Sequence, residues 1–368
     1  MKVKSISFRN FRNYENEKIE FHEKLNIIYG NNAQGKTNIL EGIYLFSLGK
    51  SNRASKDNEM IKFGETFANV EMSFLSKNSE FSGEIKLDET KKKKIFINEI
   101  PVRKNSDLVG KFNVVFFGPE YLSLIREGPK KRRKNIDIMI SQLKVGYLGA
   151  ISEYRKLIEQ KSRLLKEDKI DEILLSVLNE KVIDLASYII KIRFEYIKKI
   201  ESIAQKIQLD ISEGKENLNM DYISCGIKIE QCSVDSIKEI LKEKAKDILS
   251  REIRYRECIL GPHRDDIEFK INGADLKLFG SQGQQKTAVL VQKIAEVELF
   301  REEMGEYPVL LLDDIMSELD SHRQDYVLNK LTDMQIFITC TDNEKFKTFK
   351  EGKFIKIEKG SVVECTSI

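Results

Sequence analysis

Residues 25–46 read LNIIYGNNAQGKTNILEGIYLF, and the fold turns on this stretch. Gly30, Asn31, Asn32, Ala33, Gln34, Gly35, Lys36 and Thr37 run in the spacing G-x-x-x-x-G-K-T. A short apolar run precedes them, and Ile39, Ile43 and Phe46 follow at helical spacing. A strand, a glycine-rich loop and a helix start in that order are what a phosphate-binding loop requires. The loop N–H groups are expected to wrap phosphates, Lys36 to reach the β and γ groups, and Thr37 to hold Mg²⁺. A glycine-rich turn that matches by chance is the alternative, and the flanking pattern argues against it.

Such a loop needs a carboxylate on a nearby buried strand. Residues 307–320, YPVLLLDDIMSELD, supply one: an apolar strand ending in Asp313 and Asp314. Adjacent acids at the end of an apolar run are costly unless they face a cation or water. Asp313 is expected to act on Mg²⁺ and Asp314 to orient and polarise the attacking water. An ordinary strand end capped by acids is the competing reading, weakened by the loop at residues 30–37.

A third stretch, FGSQGQQKTAVLV at 279–291, leads two glycines, a serine and three glutamines into an apolar helical pattern. A small polar turn at a helix start can offer N–H groups and a positive dipole end to an anion. It can also be no more than a flexible helix start.

Composition sets the bounds. The 368 residues suffice for two domains, and 41% hydrophobic content suits a packed core. Charged residues make up 33%, but the net charge is only +3, so partners cannot be inferred from it. The cysteines, Cys225, Cys232, Cys258, Cys340 and Cys365, are scattered and form no C-x-x-C pair. That pattern suits reduced thiols in a cytoplasmic protein better than a metal site or a disulfide frame. No signal-peptide-like start and no run near the ~20 apolar residues of a membrane span is present. The terminal CTSI fits a prenylation box only superficially, because its middle residues are polar.

Organisation follows from periodicity. Residues 1–120 alternate as strands around one helix, and KFNVVFFGPE ends a buried strand at Gly118-Pro119. Residues 121–255 are rich in Leu, Ile, Lys and Glu at helical spacing and predict a helical lobe, too short for a long coiled-coil arm. Residues 256–368 return to strands. The expected fold is α/β: a P-loop head built from both chain ends with a helical lobe between them. Two basic runs stand out. Lys91–Lys94 lies between strand-like runs, as a solvated hairpin would. Lys130–Lys134 opens the helical lobe and could neutralise DNA phosphates or be a solvated helix start. His263 and Arg264 sit in a turn that reads as structural, and Asp265 and Asp266 have no assignable role.

SQGQQK resembles the signature motif of ABC-type ATPases, placing Ser281, Gly283 and Gln284 where that family closes on the γ-phosphate of a second subunit. NFRNY (10–14), GNNAQGKTN, GPHRDD (261–266), GSQGQQKT and LLLDDIMSELD together resemble the RecF family of bacterial recombination-repair ATPases over nearly the whole chain. YLGAISEYRKLIEQKSRLLK (147–166) resembles that family's arm less strongly, and SMC-type chromosome ATPases are its more distant relatives. The resemblance implies an ABC-type ATPase head with ATP and Mg as cofactors, an ATP-dependent homodimer and no membrane. It implies binding to duplex DNA and single-strand/duplex junctions in the groove between the lobes, action at gaps and stalled forks, and partners RecO and RecR. Help in loading the recombinase, a link to the SOS response and slow hydrolysis that times release are implied in the same way. It further implies Asp320 as a turn residue that crosses the dimer and Arg12 as a neighbour of adenine or phosphates. The chain departs from the ABC pattern twice. FFGPEY has no glutamine, leaving Glu120 as a stand-in for the γ-phosphate sensor, and IFITCTDN offers Thr339 or Thr341 where a switch histidine is usual. An SMC-like clamp would need more reach than this insertion provides, and a P-loop kinase has no use for the SQGQQ turn.

Overall fold

The structure, a computed structural model, describes residues 1–230, 233–330, 333–346 and 351–367; Cys232 and the final residue of the CTSI box lie outside them. The chain divides into two compact units, residues 1–121 with 296–368, and residues 122–295.

The first unit opens with β1 (Lys2–Phe11), β2 (Tyr14–Glu20), β3 (Leu25–Tyr29) and helix α1 (Lys36–Leu48). It continues with β4 (Phe67–Ser76), β5 (Ser79–Asp88), β6 (Lys94–Ile97), β7 (Ile100–Pro101) and β8 (Val114–Phe117). The second unit contributes α2 (Pro129–Leu143), α3 (Tyr147–Leu164), α4 (Glu172–Ile211), β9 (Leu218–Ser224), β10 (Ile227–Lys228), α5 (Val234–Tyr255), β11 (Asp266–Ile271), β12 (Ala274–Asp275) and α6 (Leu276–Phe279). Helix α7 (Gln282–Met304) follows, then β13 (Val309–Asp313), α8 (Ser321–Lys330), β14 (Ile336–Cys340), β15 (Lys353–Glu358) and β16 (Ser361–Ser367).

Two sheets organise the first unit. One is antiparallel, in the order β2-β1-β4-β5-β6-β7; the other runs β16-β15-β3-β14-β13-β8, with every pair parallel except β15 with β16. The strands β3, β8, β13 and β14 are almost wholly buried, as expected of a parallel sheet covered on both faces. Helix α1 is buried at eleven of its thirteen positions and shares one apolar cluster with both sheets. It therefore has no polar stripe to read, unlike a surface helix. Gly42 and Gly83 admit Phe8 and Phe46 where a Cβ would collide.

The second unit is held by the 40-residue α4, about 60 Å long at 1.5 Å per residue. Leu164 and Leu165, at and just beyond the end of α3, meet Leu175 and Leu178 on α4 in a small separate core. A four-stranded sheet, β10-β9-β11-β12, sits with these helices. It moves the expected boundary. Residues 256–295 belong to the second unit rather than to the head, because β11 pairs with β9 along its whole length, Asp266 against Ile223 through Ile271 against Leu218. The helical lobe expected for 121–255 also carries β9 and β10.

Candidate nucleotide site

The loop Gly30–Gly35 leaves the C-terminal end of β3 and enters α1, at the sheet edge where open α/β folds gather their sites. Its backbone needs glycine at both ends. Gly30 has φ +145 and a Cβ there would come 2.4 Å from Ile357 O; Gly35 has φ +117 and would press its Cβ against the Asn13 amide at 2.7 Å. The loop is clamped by the NFRNY segment. Asn13 Nδ2 donates to Gln34 O at 2.8 Å, and Asn13 Oδ1 accepts from Asn38 Nδ2 at 2.8 Å. Tyr14 Oη donates to Gly35 O at 3.1 Å. The turn between β15 and β16 braces it from another side, Gly360 N–H to Gln34 O at 3.0 Å and Lys359 N–H to Gln34 Oε1 at 2.6 Å. Asn31 and Asn32 lie between these fixed points, and Ala33 takes φ +63.

The two ends of the chain meet here. Thr37 Oγ1, on the first turn of α1, donates to Asp313 Oδ1 at 2.8 Å. Thr339 stands opposite Asp313 in the parallel register of β13 and β14. Its hydroxyl donates to the same Oδ1 at 2.7 Å and accepts from the Asp314 N–H at 2.9 Å. Asp314 takes φ +49, a left-handed conformation that ends the extended run of β13. Burial raises the Asp313 carboxyl above its ordinary range, the Thr339 and Thr37 hydroxyls pull it back, and the adjacent Asp314 charge raises it. Lys36 is buried and donates to Gly30 O at 2.6 Å and Asn31 O at 3.1 Å. Burial pushes the neighbouring Cys340 thiol up to about 12.

The residues fit a nucleotide with a hard divalent cation. Among the described residues no cluster of three or more His, Cys, Asp or Glu could hold a metal by itself. A hydroxyl and one carboxylate, with phosphates completing the shell, is the donor set that Mg²⁺ commonly takes.

The other expected residues fall in place differently. Arg12 is turned inward: Nε and Nη2 make a bidentate pair with Glu41 at 2.8 and 2.7 Å, and Nη1 reaches Glu59 O at 2.6 Å. Glu41 is fully buried on α1, so Arg12 braces the helix behind the loop. Asp320 is exposed and caps α8, accepting the Arg323 N–H at 2.9 Å and pairing with the Arg323 side chain. Glu120 lies in a 3₁₀ turn after β8, and Thr341 is exposed.

Ser281, Gly283 and Gln284 lie in the second unit, at the start of α7. Ser281 Oγ accepts from Gln284 N–H at 3.1 Å while Gln284 Oε1 accepts from Ser281 N–H at 2.9 Å, a reciprocal capping box. Gln285 is buried; its Nε2 donates to Leu276 O and Gly280 O, and its Oε1 accepts from Arg126 Nε at 2.6 Å. The serine itself stays exposed. Two glutamines thus build the turn that presents it.

The basic run is not one patch. Helical spacing turns Arg132 inward, 4% exposed, to a bidentate pair with Asp266 at 2.7 and 2.9 Å, and Arg133 donates to Asp265 O. Only Lys130, Lys131 and Lys134 are exposed, and Lys131 pairs with Glu127. This gives GPHRDD its role. Gly261 leaves room for the Tyr154 hydroxyl, His263 Nδ1 bonds that hydroxyl at 2.7 Å, and buried Asp265 accepts from Tyr222 and Arg193. Lys91 and Lys93 of the other run pair with Asp88 and Asp57 beside the β5–β6 turn.

Comparison with known proteins agrees with this architecture. The model of the RecF/RecN/SMC N-terminal domain matches residues 2–363. The DNA replication and repair protein RecF of Acetivibrio thermocellus is 42% identical over 368 residues, covering 98% of this chain and 99% of that protein. The chain belongs to the RecF family. RecF of Clostridium tetani is 40% identical, with 99% and 100% covered. A solved structure of the recombination mediator protein RecF-ATP in the RecFOR pathway superposes with a TM-score of 0.90 at 38% identity, covering 100% of this chain and 97% of that one. The Smc head domain of Pyrococcus furiosus, at 15% identity and a TM-score of 0.57, shares the fold alone. The fold is thus an α/β ABC-type ATPase head carrying a second lobe. No described helix is long and apolar enough to cross a membrane.

Proposed function

We propose that this chain is an ATP-dependent DNA-binding protein of recombinational repair and replication, acting with RecO and RecR at gaps and stalled forks. The observation that carries the reading is the Thr37–Asp313 hydrogen bond, which joins the loop from one chain end to the acid strand from the other. Its setting is a chain 42% identical to a protein named for DNA replication and repair. The loop N–H groups and Lys36 hold the β and γ phosphates of ATP. Thr37 and Asp313 would hold Mg²⁺, which when bound neutralises phosphate charge. Asp314 accepts a hydrogen bond from the water aimed at the γ-phosphate. Ser281, Gly283 and Gln284 of a second copy meet that phosphate through N–H groups and a hydroxyl, so ATP joins two copies. Hydrolysis removes the shared contact and releases them, making the reaction a timer for DNA release. This reading places the protein in the cytoplasm, where its DNA is.

Two substitutions test it. Lys36→Ala is expected to abolish ATP binding, because the phosphate charge loses its fixed partner. Asp314→Asn is expected to bind ATP, hydrolyse it at least about a hundredfold more slowly, and retain duplex DNA longer than wild type. Fluorescence anisotropy on labelled duplex, with and without ATP, measures the second effect. DNA binding indifferent to both ATP and Asp314→Asn would sink the coupling.

A further inference from the structure

We infer that Glu216 is a positioning residue that ties the serine–glutamine turn of α7 to the end of α4, and that pairing of two copies by ATP depends on this tie. The inference rests on the function proposed above. Glu216 carries a carboxylate whose two oxygens face different elements. Oε1 accepts from Gln284 Nε2 at 2.9 Å, and Oε2 accepts from Gln208 Nε2 at 2.7 Å. Gln208 is fully buried near the end of α4. The backbone of Glu216 is fixed to the same helix end, its N–H donating to Ser212 Oγ at 3.0 Å beyond a turn closed by Gly214 N–H on Leu209 O at 2.7 Å.

On the other side, Gln284 has a divided side chain. Its oxygen holds the Ser281 N–H, and its nitrogen is held by Glu216. A glutamine side chain turns about three bonds and loses considerable freedom when fixed. A charge-assisted bond from one end is what keeps the other end on Ser281. A carboxylate this close to a turn read as meeting an anion would repel it if it pointed there. Both its oxygens are instead occupied by amide donors, which identifies its work as orientation. The position of α4 therefore bears on the conformation of Ser281 through Gln208, Glu216 and Gln284, one hydrogen bond at a time. Only residues of the second unit take part, and the loop proposed to hold ATP lies in the first.

The test measures the dimer dissociation constant with ATP by analytical ultracentrifugation, in the Asp314→Asn background. Glu216→Ala is expected to raise it about tenfold and Gln208→Leu several-fold, with ATP affinity of the monomer within about twofold of the parent. Glu216→Gln keeps size and one acceptor, and serves if the alanine variant folds poorly; it is expected to fall between. Ser281→Arg, which blocks the contact directly, marks the full loss. Unchanged dimerisation in Glu216→Ala and Glu216→Gln would overturn the inference. So would a loss in Glu216→Ala that Gln208→Leu does not share, since α4 would then play no part. If the Asp314→Asn parent itself gains no dimer with ATP, the proposed function has failed, and the tie has no dimer to govern.

Discussion

Replacing Thr339 with valine removes one hydroxyl and breaks two hydrogen bonds, the one to Asp313 Oδ1 and the one from the Asp314 N–H. Two consequences are expected. ATP hydrolysis falls at least about tenfold, since two bonds at ~0.5–1.5 kcal/mol each exceed or match the ~1.4 kcal/mol of a tenfold change, while ATP affinity stays within about threefold. The acid limb of the pH profile also moves. In the proposed function Asp313 must be ionised to face Mg²⁺, and Thr339 is one of two donors that lower its raised pKa. Losing that donor lifts the pKa further, so activity is lost at a higher pH on acidification. A pH profile of hydrolysis for Thr339→Val and wild type checks this, and an unmoved acid limb would contradict it. The sequence pointed to Lys36, Thr37, Asp313 and Asp314 because their chemistry is written in local spacing. It could offer Thr339 only as a stand-in for a missing histidine, because its work depends on a strand register across 26 residues. Asn13 and Tyr14 were visible only as part of a resembling motif, since a clamp on a loop 21 residues away leaves no periodic mark.

Among the elements, the join between α3 and α5 includes a buried ion pair. Lys161 and Glu252 are each 2% exposed and paired at 2.6 Å, and Glu252 also accepts the Ile259 N–H at 2.8 Å. Lys161→Met should destabilise the fold by about 3 kcal/mol or more, because it strands a buried carboxylate. Adding Glu252→Gln should recover part of that, since the amide oxygen still serves Ile259 without a charge to bury. Urea denaturation of the three proteins decides it; a Lys161→Met variant as stable as wild type would show that water reaches the site. Helical periodicity announced these helices, but not which charges turn inward. Five consecutive basic residues at 130–134 read as a contact for DNA phosphates or a solvated helix start, and only the partner Asp266, on β11, reveals that Arg132 is core. The β9–β11 sheet was missed for a similar reason: its strands pair across the whole of α5.

At the scale of the molecule, a net charge of +3 leaves the proposed DNA binding to local surfaces. The candidates at the start of α2 have narrowed to Lys130 and Lys134, with Lys131 partly engaged by Glu127. If this face meets DNA, reversing either lysine should flatten the log–log salt dependence of binding by ~0.9. Reversing Arg132 should instead destabilise the second unit, because it buries a carboxylate beside Asp266 and against the carbonyls of Leu124, Ile125 and Glu127 that the guanidinium now serves. Anisotropy titrations across a salt series separate these outcomes, and slopes indifferent to Lys130 and Lys134 would place the DNA elsewhere. The two-unit plan was legible in the change of periodicity near residue 120. The second boundary, at 295, was not, because it falls inside α7 and because the strand at 266–271 looks like a head strand until its pairing partner is known.

The order of β15-β3-β14 carries a consequence for synthesis. Strand β3 ends at Tyr29, yet both its neighbours come from the last stretch of the chain, at Ile336–Cys340 and Lys353–Glu358. On a ribosome adding about 5–20 residues per second, about three hundred residues and some tens of seconds separate β3 from its partners. Throughout that interval the nascent chain exposes an apolar strand with two unsatisfied edges, next to an α1 that has almost no polar face of its own. The antiparallel sheet from β1 to β7 is complete by residue 101 and can shield one side of α1 while translation continues. The other side waits for the C-terminus, so a message truncated before Ile336 should yield a chain that chaperones hold and proteases clear, with its second unit already able to form.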